Sequence, residues 1–149
     1  MQLEGSHTLQ APRAQVWAAL NDPDVLARCV PGVRSLTRDG ENTYKGALEL
    51  AVGPVKGTYQ GRVTLGDLVP PQSMSINLEA KAPVGVVRAK GNVTLEEQGD
   101  ATVVRWVGTP QLAGMLATLG GRLIGGVAKQ QAEVFFKKLE REAQTLQEV

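Results

Sequence analysis

The side chains that most often perform catalysis are few in this chain, and they do not form a recognisable catalytic arrangement. His7 is the only histidine, and Ser6 beside it points to the opposite face of a predicted first strand, which argues against a Ser-His pair. Glu96 and Glu97 are adjacent on a predicted strand, so their carboxylates point apart and make a poor acid/base pair. We therefore predict a structural or surface position for His7 and solvated positions for both glutamates.

The sequence also gives little support for metal binding or for thiol catalysis. Cys29 is the only cysteine, so it has no second cysteine at metal-ligand spacing and forms no internal disulfide. We predict a small buried residue here, and no catalytic residue, metal site or cofactor. A single cysteine favours a reducing compartment, and the polar N-terminus, MQLEGSHTLQAP, is unlike a signal peptide. We therefore expect a cytoplasmic protein that is not an enzyme.

Length and charge restrict the class of protein further. The 149 residues suit a single domain, 1–149, able to bury about two thirds of its unfolded surface. The 16 basic and 15 acidic side chains leave a net charge of +1, and aromatic residues make up 4 % of the chain. Nucleic-acid binding usually requires a basic footprint or aromatic stacking platforms. We therefore expect no nucleic-acid partner.

Alternating apolar and polar residues dominate the middle of the chain. In VKGTYQGRVTL, Tyr59 and Val63 share one face while Gln60 and Arg62 share the other. Turn sequences such as RDGEN and GDLVPPQ separate the alternating runs. The pattern predicts six or seven strands in meander order, with one packed face and one wet face. Further runs lie in SMSINLEA and over about 41–52, 86–97 and 101–108.

Two helical regions flank the predicted strands. APRAQVWAALNDPDVLARCV predicts two short helices, which are separated at 21–23 and end before Pro31. From Gly121 to Leu146, apolar residues follow helical spacing and predict one long helix. The order of elements predicts an α+β domain in which the long helix lies across a curved antiparallel sheet.

The inward positions of the predicted strands are unusually small. Gly46, Gly61, Ala89 and Gly91 each share a face with large apolar residues of the same strand. Glycine within a strand marks a bend, a bulge or close approach by another group. Two compatible interpretations follow: the small residues let the sheet curl around the helix, or they leave an apolar cavity.

The apolar stretch LAGMLATLGGRLIGGVA, from Leu112 to Ala128, could span a membrane, pack in the core or contact a ligand. It is shorter than the roughly 20 residues of a membrane-spanning helix, and Arg122 lies near its centre. We therefore predict that it either packs in the core or lines and gates a ligand site. Gln131 is a polar residue in the apolar helical stripe, and either orients a ligand or sits at the edge of the helix against water.

Three sequence blocks follow one another along the chain: PRAQVWAALNDPDVLARCVPGVRSL, VGPVKGTYQGRVTL and PQLAGMLATLGGRLIGGVAKQQAEVFFKKL. In this order they resemble the CoxG family of carbon monoxide dehydrogenase subunits, within the START-like (SRPBCC, helix-grip) superfamily. The resemblance implies a curved seven-stranded antiparallel sheet gripping a long C-terminal helix around an apolar cavity, with two short helices after strand 1. Val33 stands where the family often has a cysteine, so no functional thiol pair is carried over.

The same resemblance implies a function without catalysis. It implies a carrier of a respiratory quinone or lipid-like molecule, accessory to a molybdenum-containing dehydrogenase, and lining or gating roles for Leu112–Val127 and for the loop Val30, Pro31 and Gly32. The full set of expected ligand-binding residues is Trp17, Leu48, Leu50, Tyr59, Leu78, Trp106, Leu112, Met115, Leu116, Leu119, Leu123, Val127, Gln131 and Phe135.

Two alternatives remain open at this point. One is an adaptor that recruits such a dehydrogenase to the membrane, with an incidental cavity. The other is a small enzyme on an aromatic or polyketide substrate, for which Tyr44, Tyr59 and Arg88 are the only polar candidates. Lys81, Arg88 and Lys90 form a modest basic strip, which predicts weak, reversible contact with the inner face of the cell membrane.

Overall fold

The structure, a computed structural model, describes residues 1–147. The elements, in chain order, are β1 (Leu3–Leu9), α1 (Arg13–Leu20), α2 (Pro23–Cys29), β2 (Val33–Arg38), β3 (Thr43–Leu50), β4 (Gly57–Val69), β5 (Ser73–Ala82), β6 (Gly85–Gln98), β7 (Ala101–Gly114) and α3 (Gly121–Gln147). Short 3-10 turns at Gly53–Val55 and Met115–Thr118 precede β4 and α3.

The strands form one seven-stranded antiparallel sheet in the order β1-β7-β6-β5-β4-β3-β2. Strands β2 to β7 follow one another as a meander, and β1 pairs with β7, so β1 and β2 are the two edges. Helices α1 and α2 lie between β1 and β2 in the chain. The predicted α+β architecture is therefore confirmed, with seven strands, a long C-terminal helix and two short helices after strand 1.

The end of the last strand differs from the prediction. The expected strand at 101–108 continues to Gly114 as β7, and β1 pairs with β7 only as far as Gly108. Beyond that point one edge of β7 is open, and an open edge tolerates Pro110, which has no N–H to donate. The stretch from Leu112 to Ala128 is thus divided between a strand end, a 3-10 turn and the start of α3.

The two short helices are fixed by a cap and by buried apolar side chains. The Asp22 carboxylate accepts hydrogen bonds from the amides of Asp24 and Val25, at 2.9 and 3.5 Å, and so caps α2. In α1, Val16 and Leu20 are buried, and Val25 is buried in α2. Both short helices therefore turn an apolar face towards the interior.

The main apolar core lies at one end of the sheet. There α1, α2 and the C-terminal half of α3 bury residues such as Val16, Cys29, Phe136, Leu139 and Ala143. The three helices contact one another, while α2 also packs on β2, α1 on β6 and β7, and α3 on β1. The C-terminal half of α3 is therefore packed against both short helices as well as the sheet.

Polar contacts reinforce this packing on the surface. The Arg28 guanidinium donates two hydrogen bonds to the Glu142 carboxylate, at 2.8 and 3.0 Å. The Gln144 side chain donates to the Gln10 carbonyl at 3.0 Å. The C-terminal half of α3 is thus held from several sides.

A second apolar cluster closes the other end of the sheet. Val55, Tyr59 and Leu116 are buried at its centre. The half-buried side chains packed around them are Leu48, Leu50, Ala80, Ala82, Val84, Val87, Leu112, Leu119, Ile124 and Val127. The first turns of α3 are therefore held by apolar contacts with the end of β7 and the turn that follows it.

Burial of Cys29 in the main core generates a test of this packing. Burial, helped by repulsion from Glu142 and opposed by Arg28, raises the pKa of the Cys29 thiol to about 11 from an ordinary 9.0. As pH rises, the unfolded thiol ionises before the folded one, so this contribution to folding stability is lost between about pH 9 and 11. We expect urea unfolding to show this fall for the wild-type protein and a smaller fall for Cys29→Ala.

Reaction with Ellman's reagent provides an independent measurement. At pH 8 we expect the folded protein to react slowly and the protein in concentrated urea to react fully, since a buried neutral thiol is a poor nucleophile. Rapid reaction of the folded protein would contradict the buried position of Cys29.

Candidate functional site

The inner face of the sheet lacks side chains along rows that cross the strands. Gly46 lies opposite Gly61, which lies opposite Ala80, and Gly91 lies opposite Gly108. A Cβ atom at Gly46 would approach the Ser35 carbonyl oxygen to 2.0 Å, and one at Gly91 would approach the Val107 carbonyl oxygen to 2.6 Å. Close passage of neighbouring strands therefore requires glycine at both positions.

These missing side chains leave a cavity of about 500 Å³ between the sheet and α3. Its walls come mainly from β2 to β7, from α3 and from Val30 and Pro31 of the loop after α2. The lining draws on residues of both apolar clusters, such as Tyr44 and Phe136 of the main core and Tyr59 of the second cluster. The volume lies within the range of about 300–1,000 Å³ for small-molecule sites.

Polar atoms near the cavity are paired with protein groups. The Tyr59 hydroxyl donates to the Val55 carbonyl at 2.7 Å, and the Trp106 indole N–H donates to His7 Nε2 at 3.3 Å. The Gln131 amide donates to the Pro31 carbonyl at 3.4 Å. These hydrogen bonds leave the cavity with a mainly apolar surface, to which Gln131 contributes the remaining donor and acceptor of its amide.

Burial shifts the pKa of two titratable side chains of this region. It raises the pKa of Tyr59 above its ordinary value of 10.0, because the buried phenolate would lose its hydration. It lowers the pKa of His7, and attraction from Glu133 opposes this shift. The His7 ring stacks on Phe136 with centroids 4.5 Å apart. His7 therefore acts as a neutral hydrogen-bond acceptor for Trp106, in a half-buried structural position.

Eight of the residues expected from the sequence line the cavity. Five elements and one loop contribute them. They are Leu48, Tyr59, Leu78, Trp106, Gln131 and Phe135, together with Val30 and Pro31.

The remaining expected residues lie outside the lining. Leu50, Leu112, Leu116, Leu119 and Val127 pack in the second apolar cluster. Met115 and Leu123 are exposed, at 69 % and 37 %, Trp17 packs against the main core, and Gly32 is exposed at a positive φ of 86°. Leu112, Leu116 and Leu119 lie outside because the end of β7 and the turn after it pack on Val55 and Tyr59 and close the end of the cavity.

Several lining residues were missed in the sequence. Tyr44 and Met74 could have been found by alternation, because they share a face with Gly46 and Leu78 respectively. Phe136 could have been found by its helical spacing from Ala128 and Ala132. Val63, Leu65, Ile76 and Val93 follow the same alternation and were also missed. Leu26 of α2 and Leu36 of β2 are lining residues for which no comparable pattern exists.

The polar candidates for catalysis are not brought together. Tyr44 and Tyr59 line the cavity, whereas Arg88 lies on the outer face of the sheet, where its Nε is 3.0 Å from Glu79 Oε2. The Tyr44 hydroxyl accepts a hydrogen bond from Arg38 at 3.4 Å. Within residues 1–147, no group of three or more His, Cys, Asp or Glu side chains is placed to hold a metal ion.

The family model for the carbon monoxide dehydrogenase subunit CoxG matches residues 5–144. The chain belongs to this family. A conserved protein from Geobacillus kaustophilus superposes with a TM-score of 0.93 at 31 % identity, over 97 % of this chain and 96 % of that one. The CoxG family and its fold support a ligand-binding accessory role.

More distant solved structures share the fold of this CoxG-family chain. A protein from Thermus thermophilus has a TM-score of 0.70 at 17 % identity, over 98 % of this chain and 99 % of that one. The Zhui aromatase/cyclase from Streptomyces sp. R1128 has a TM-score of 0.69 at 18 % identity, over 97 % and 93 %. These likenesses show the helix-grip fold alone.

No curated protein matches the chain significantly. None of the helices described within residues 1–147 has the length and apolar character needed to span a membrane.

The environment of His7 can be tested by titration. Because burial lowers the pKa of the folded His7, the unfolded chain takes up a proton first as pH falls through about 6.5. The free energy of unfolding should therefore decrease as pH falls below that value. The single histidine gives one set of imidazole NMR resonances, and we expect it to titrate below the ordinary value.

Substitution of Glu133 separates the two causes of this shift. Since Glu133 raises the pKa of His7, Glu133→Gln should lower it further. Glu4→Gln, an exposed change on the strand that carries His7, should shift it less. A His7 that titrates at or above about 6.5 would contradict the buried stacking on Phe136.

Proposed function

We propose that this CoxG-family protein is a non-catalytic carrier of an apolar small molecule, a respiratory quinone or a lipid-like compound, that binds in the cavity. In this proposal it serves as an accessory protein to a molybdenum-containing carbon monoxide dehydrogenase-type enzyme. The observation that carries the proposal is the cavity of about 500 Å³, whose nearby polar atoms are paired with protein groups. A pocket of this kind favours a ligand that loses apolar surface to it.

Gln131 is the residue best suited to orient such a ligand. One N–H of its side-chain amide is used by the Pro31 carbonyl, so the amide keeps a second donor and its acceptor oxygen. A quinone carbonyl is a hydrogen-bond acceptor that one amide donor satisfies. The ring of the ligand would then lie near α3 and its apolar chain along the glycine rows of the sheet.

Ligand entry in this proposal uses the loop Val30, Pro31 and Gly32 as a gate. The hydrogen bond from Gln131 to Pro31 joins this loop to α3. Gly125 and Gly126 in the first turns of α3 lower the intrinsic stability of that part of the helix. Separation of the loop from α3 would open the cavity while the anchored C-terminal half of α3 keeps its place.

Membrane contact in this proposal is weak and reversible, at the inner face of the cell membrane. Four exposed apolar side chains, which we call the apolar rim, support it: Met1, Val52, Met115 and Leu123, at 51 %, 39 %, 69 % and 37 % exposure. Met115 and Leu123 are next in the chain to Leu116 and Ile124 of the second apolar cluster, and Val52 lies three residues before its Val55. A rim of this size suits transient insertion, since stable anchoring usually takes two attachments.

Quinone binding is testable with decylubiquinone. A quinone near Trp106 should quench its fluorescence, and the Trp17→Phe background leaves Trp106 as the only emitting indole. We expect saturable quenching, and a loss of affinity of roughly tenfold or more, at least about 1.4 kcal/mol, in Gly108→Leu. A Cβ at Gly108 meets only one atom within 4 Å, the Lys90 carbonyl oxygen at 3.9 Å, so the added side chain can enter the cavity without displacing backbone.

Thr109→Leu is the matched control, because it adds a similar side chain to the outer face of the same strand. Unchanged affinity in Gly108→Leu with an unchanged melting temperature would overturn the cavity proposal. Mass spectrometry of organic extracts from protein purified from its own host then separates a quinone from another lipid. Loss of cavity binding without loss of support for the dehydrogenase would favour the adaptor alternative.

The gate generates its own prediction. Gln131→Leu keeps a side chain of similar size and removes the hydrogen bond to Pro31. The loss of this neutral hydrogen bond, about 0.5–1.5 kcal/mol, should ease opening and speed both association and dissociation of decylubiquinone by roughly two- to tenfold. Loss of the proposed bond to the ligand alone would speed dissociation only. Stopped-flow fluorescence measures both rates. Gln130→Leu, an exposed neighbour on α3, should leave both rates unchanged, and an unchanged association rate in Gln131→Leu would remove the gate from the proposal.

A further inference from the structure

The outer face of the sheet carries a groove of about 860 Å³ that the proposed carrier function does not use. We call it the outer groove. Its charged side chains are Lys45, Arg62, Lys81, Arg88, Lys90 and Glu79. Five cations against one carboxylate give the groove a net charge of +4, whereas the whole chain carries +1. Positive charge is therefore concentrated on this one face.

The strand register places most of these charges in one row. Lys45 lies opposite Arg62, Arg62 opposite Glu79, and Glu79 opposite Arg88. Neighbouring strands are about 4.8 Å apart, so the row crosses four strands at right angles to them. The Glu79 carboxylate pairs with both Arg88 and Lys81, at 3.0 and 3.5 Å. The only carboxylate of the groove is therefore already occupied.

Lys45 and Lys90 of the outer groove have no ion-pair partner of this kind among residues 1–147. Arg62, by contrast, is paired with Asp39 at 2.8 Å. Like charges directly opposite each other on neighbouring strands destabilise a sheet, and Lys45 faces Arg62 in this way. The Asp39 carboxylate offsets this repulsion at Arg62, and Lys45 and Lys90 remain as two cations available to a partner.

We propose that the outer groove docks an acidic segment of a partner protein, whose carboxylates pair with Lys45 and Lys90 and with the outer sides of the row. The side chains of Gln60, Asn77 and Gln111 also line the groove, and amide side chains offer both donors and acceptors to the peptide groups of such a segment. A concave groove admits a protein chain along its floor, whereas a flat bilayer reaches only the tips of its walls. The shape and the amides therefore favour protein over lipid.

The test uses the full chain and a fluorescently labelled polyglutamate peptide. Anisotropy should report binding that weakens as salt rises, because exposed ion pairs are screened. Lys45→Gln/Lys90→Gln should weaken it by roughly three- to tenfold, the scale of two exposed ion pairs. The matched control is Lys129→Gln/Lys138→Gln, which removes two exposed charges from α3 and should change affinity by less than about twofold, since it leaves the row intact. All four lysines are exposed, so equal melting temperatures are expected.

Two further measurements, of NMR amide shifts and of vesicle binding, complete the test. Polyglutamate should shift the amide resonances of β3 to β6 in the ¹⁵N-labelled protein and leave those of α3 in place. The proposal is overturned by absence of binding at low salt, by equal losses in the two double variants, or by shifts centred on α3. It is also overturned if Lys45→Gln/Lys90→Gln abolishes binding to phosphatidylglycerol vesicles and spares polyglutamate. Gly108→Leu should leave polyglutamate binding intact, so failure of the cavity proposal and failure of this one are distinguishable.

Discussion

The position of α3 depends on the small residues in the middle of the sheet. Gly46 lets β3 pass close to Ser35 of β2, and Gly91 lets β6 pass close to Val107 of β7. Side chains of normal size would collide with backbone carbonyls at Gly46 and Gly91. The sheet therefore reaches α3 mainly at its two ends, and the helix spans the volume between.

The two ends hold the helix by different means. At the C-terminal half, Leu139 and Ala143 are fully buried, and Arg28 and Gln10 add hydrogen bonds from outside. At the N-terminal half, Ile124 and Val127 are only half-buried, and Gln131 makes one bond to the loop. An empty volume also forfeits the dispersion contacts that a filled core provides. Packing is thus weaker beside the cavity, and α3 is held mainly by the tighter packing where α1 and α2 contact it.

Much of this architecture is readable in the sequence, because alternation and helical spacing are local properties. The turn residues around Gly40 and Pro70, and the long apolar stripe of α3, fix the type and order of the elements. The identity of the lining is less accessible, because it depends on cross-strand register. Alternation puts Leu50 on the same face as Leu48, but only the register shows that Leu50 lies opposite Gly57, at the closed end. Met115 is apolar in the sequence yet exposed, because the turn that carries it ends in solvent.

The cavity and the outer groove have part of their wall in common. Gly46, Gly61, Leu78 and Ala89 contribute to both surfaces, so the partition between inside and outside is one sheet thick, with little side-chain padding at the glycines. A change in the twist of this single sheet affects its inner and outer faces together. A carboxylate-bearing chain that flattens the outer row would narrow or widen the space inside, and a ligand that spreads the inner face would alter the spacing of the outer cations. If both sides are occupied as proposed, binding on one side would change the affinity on the other, and the effect would be reciprocal.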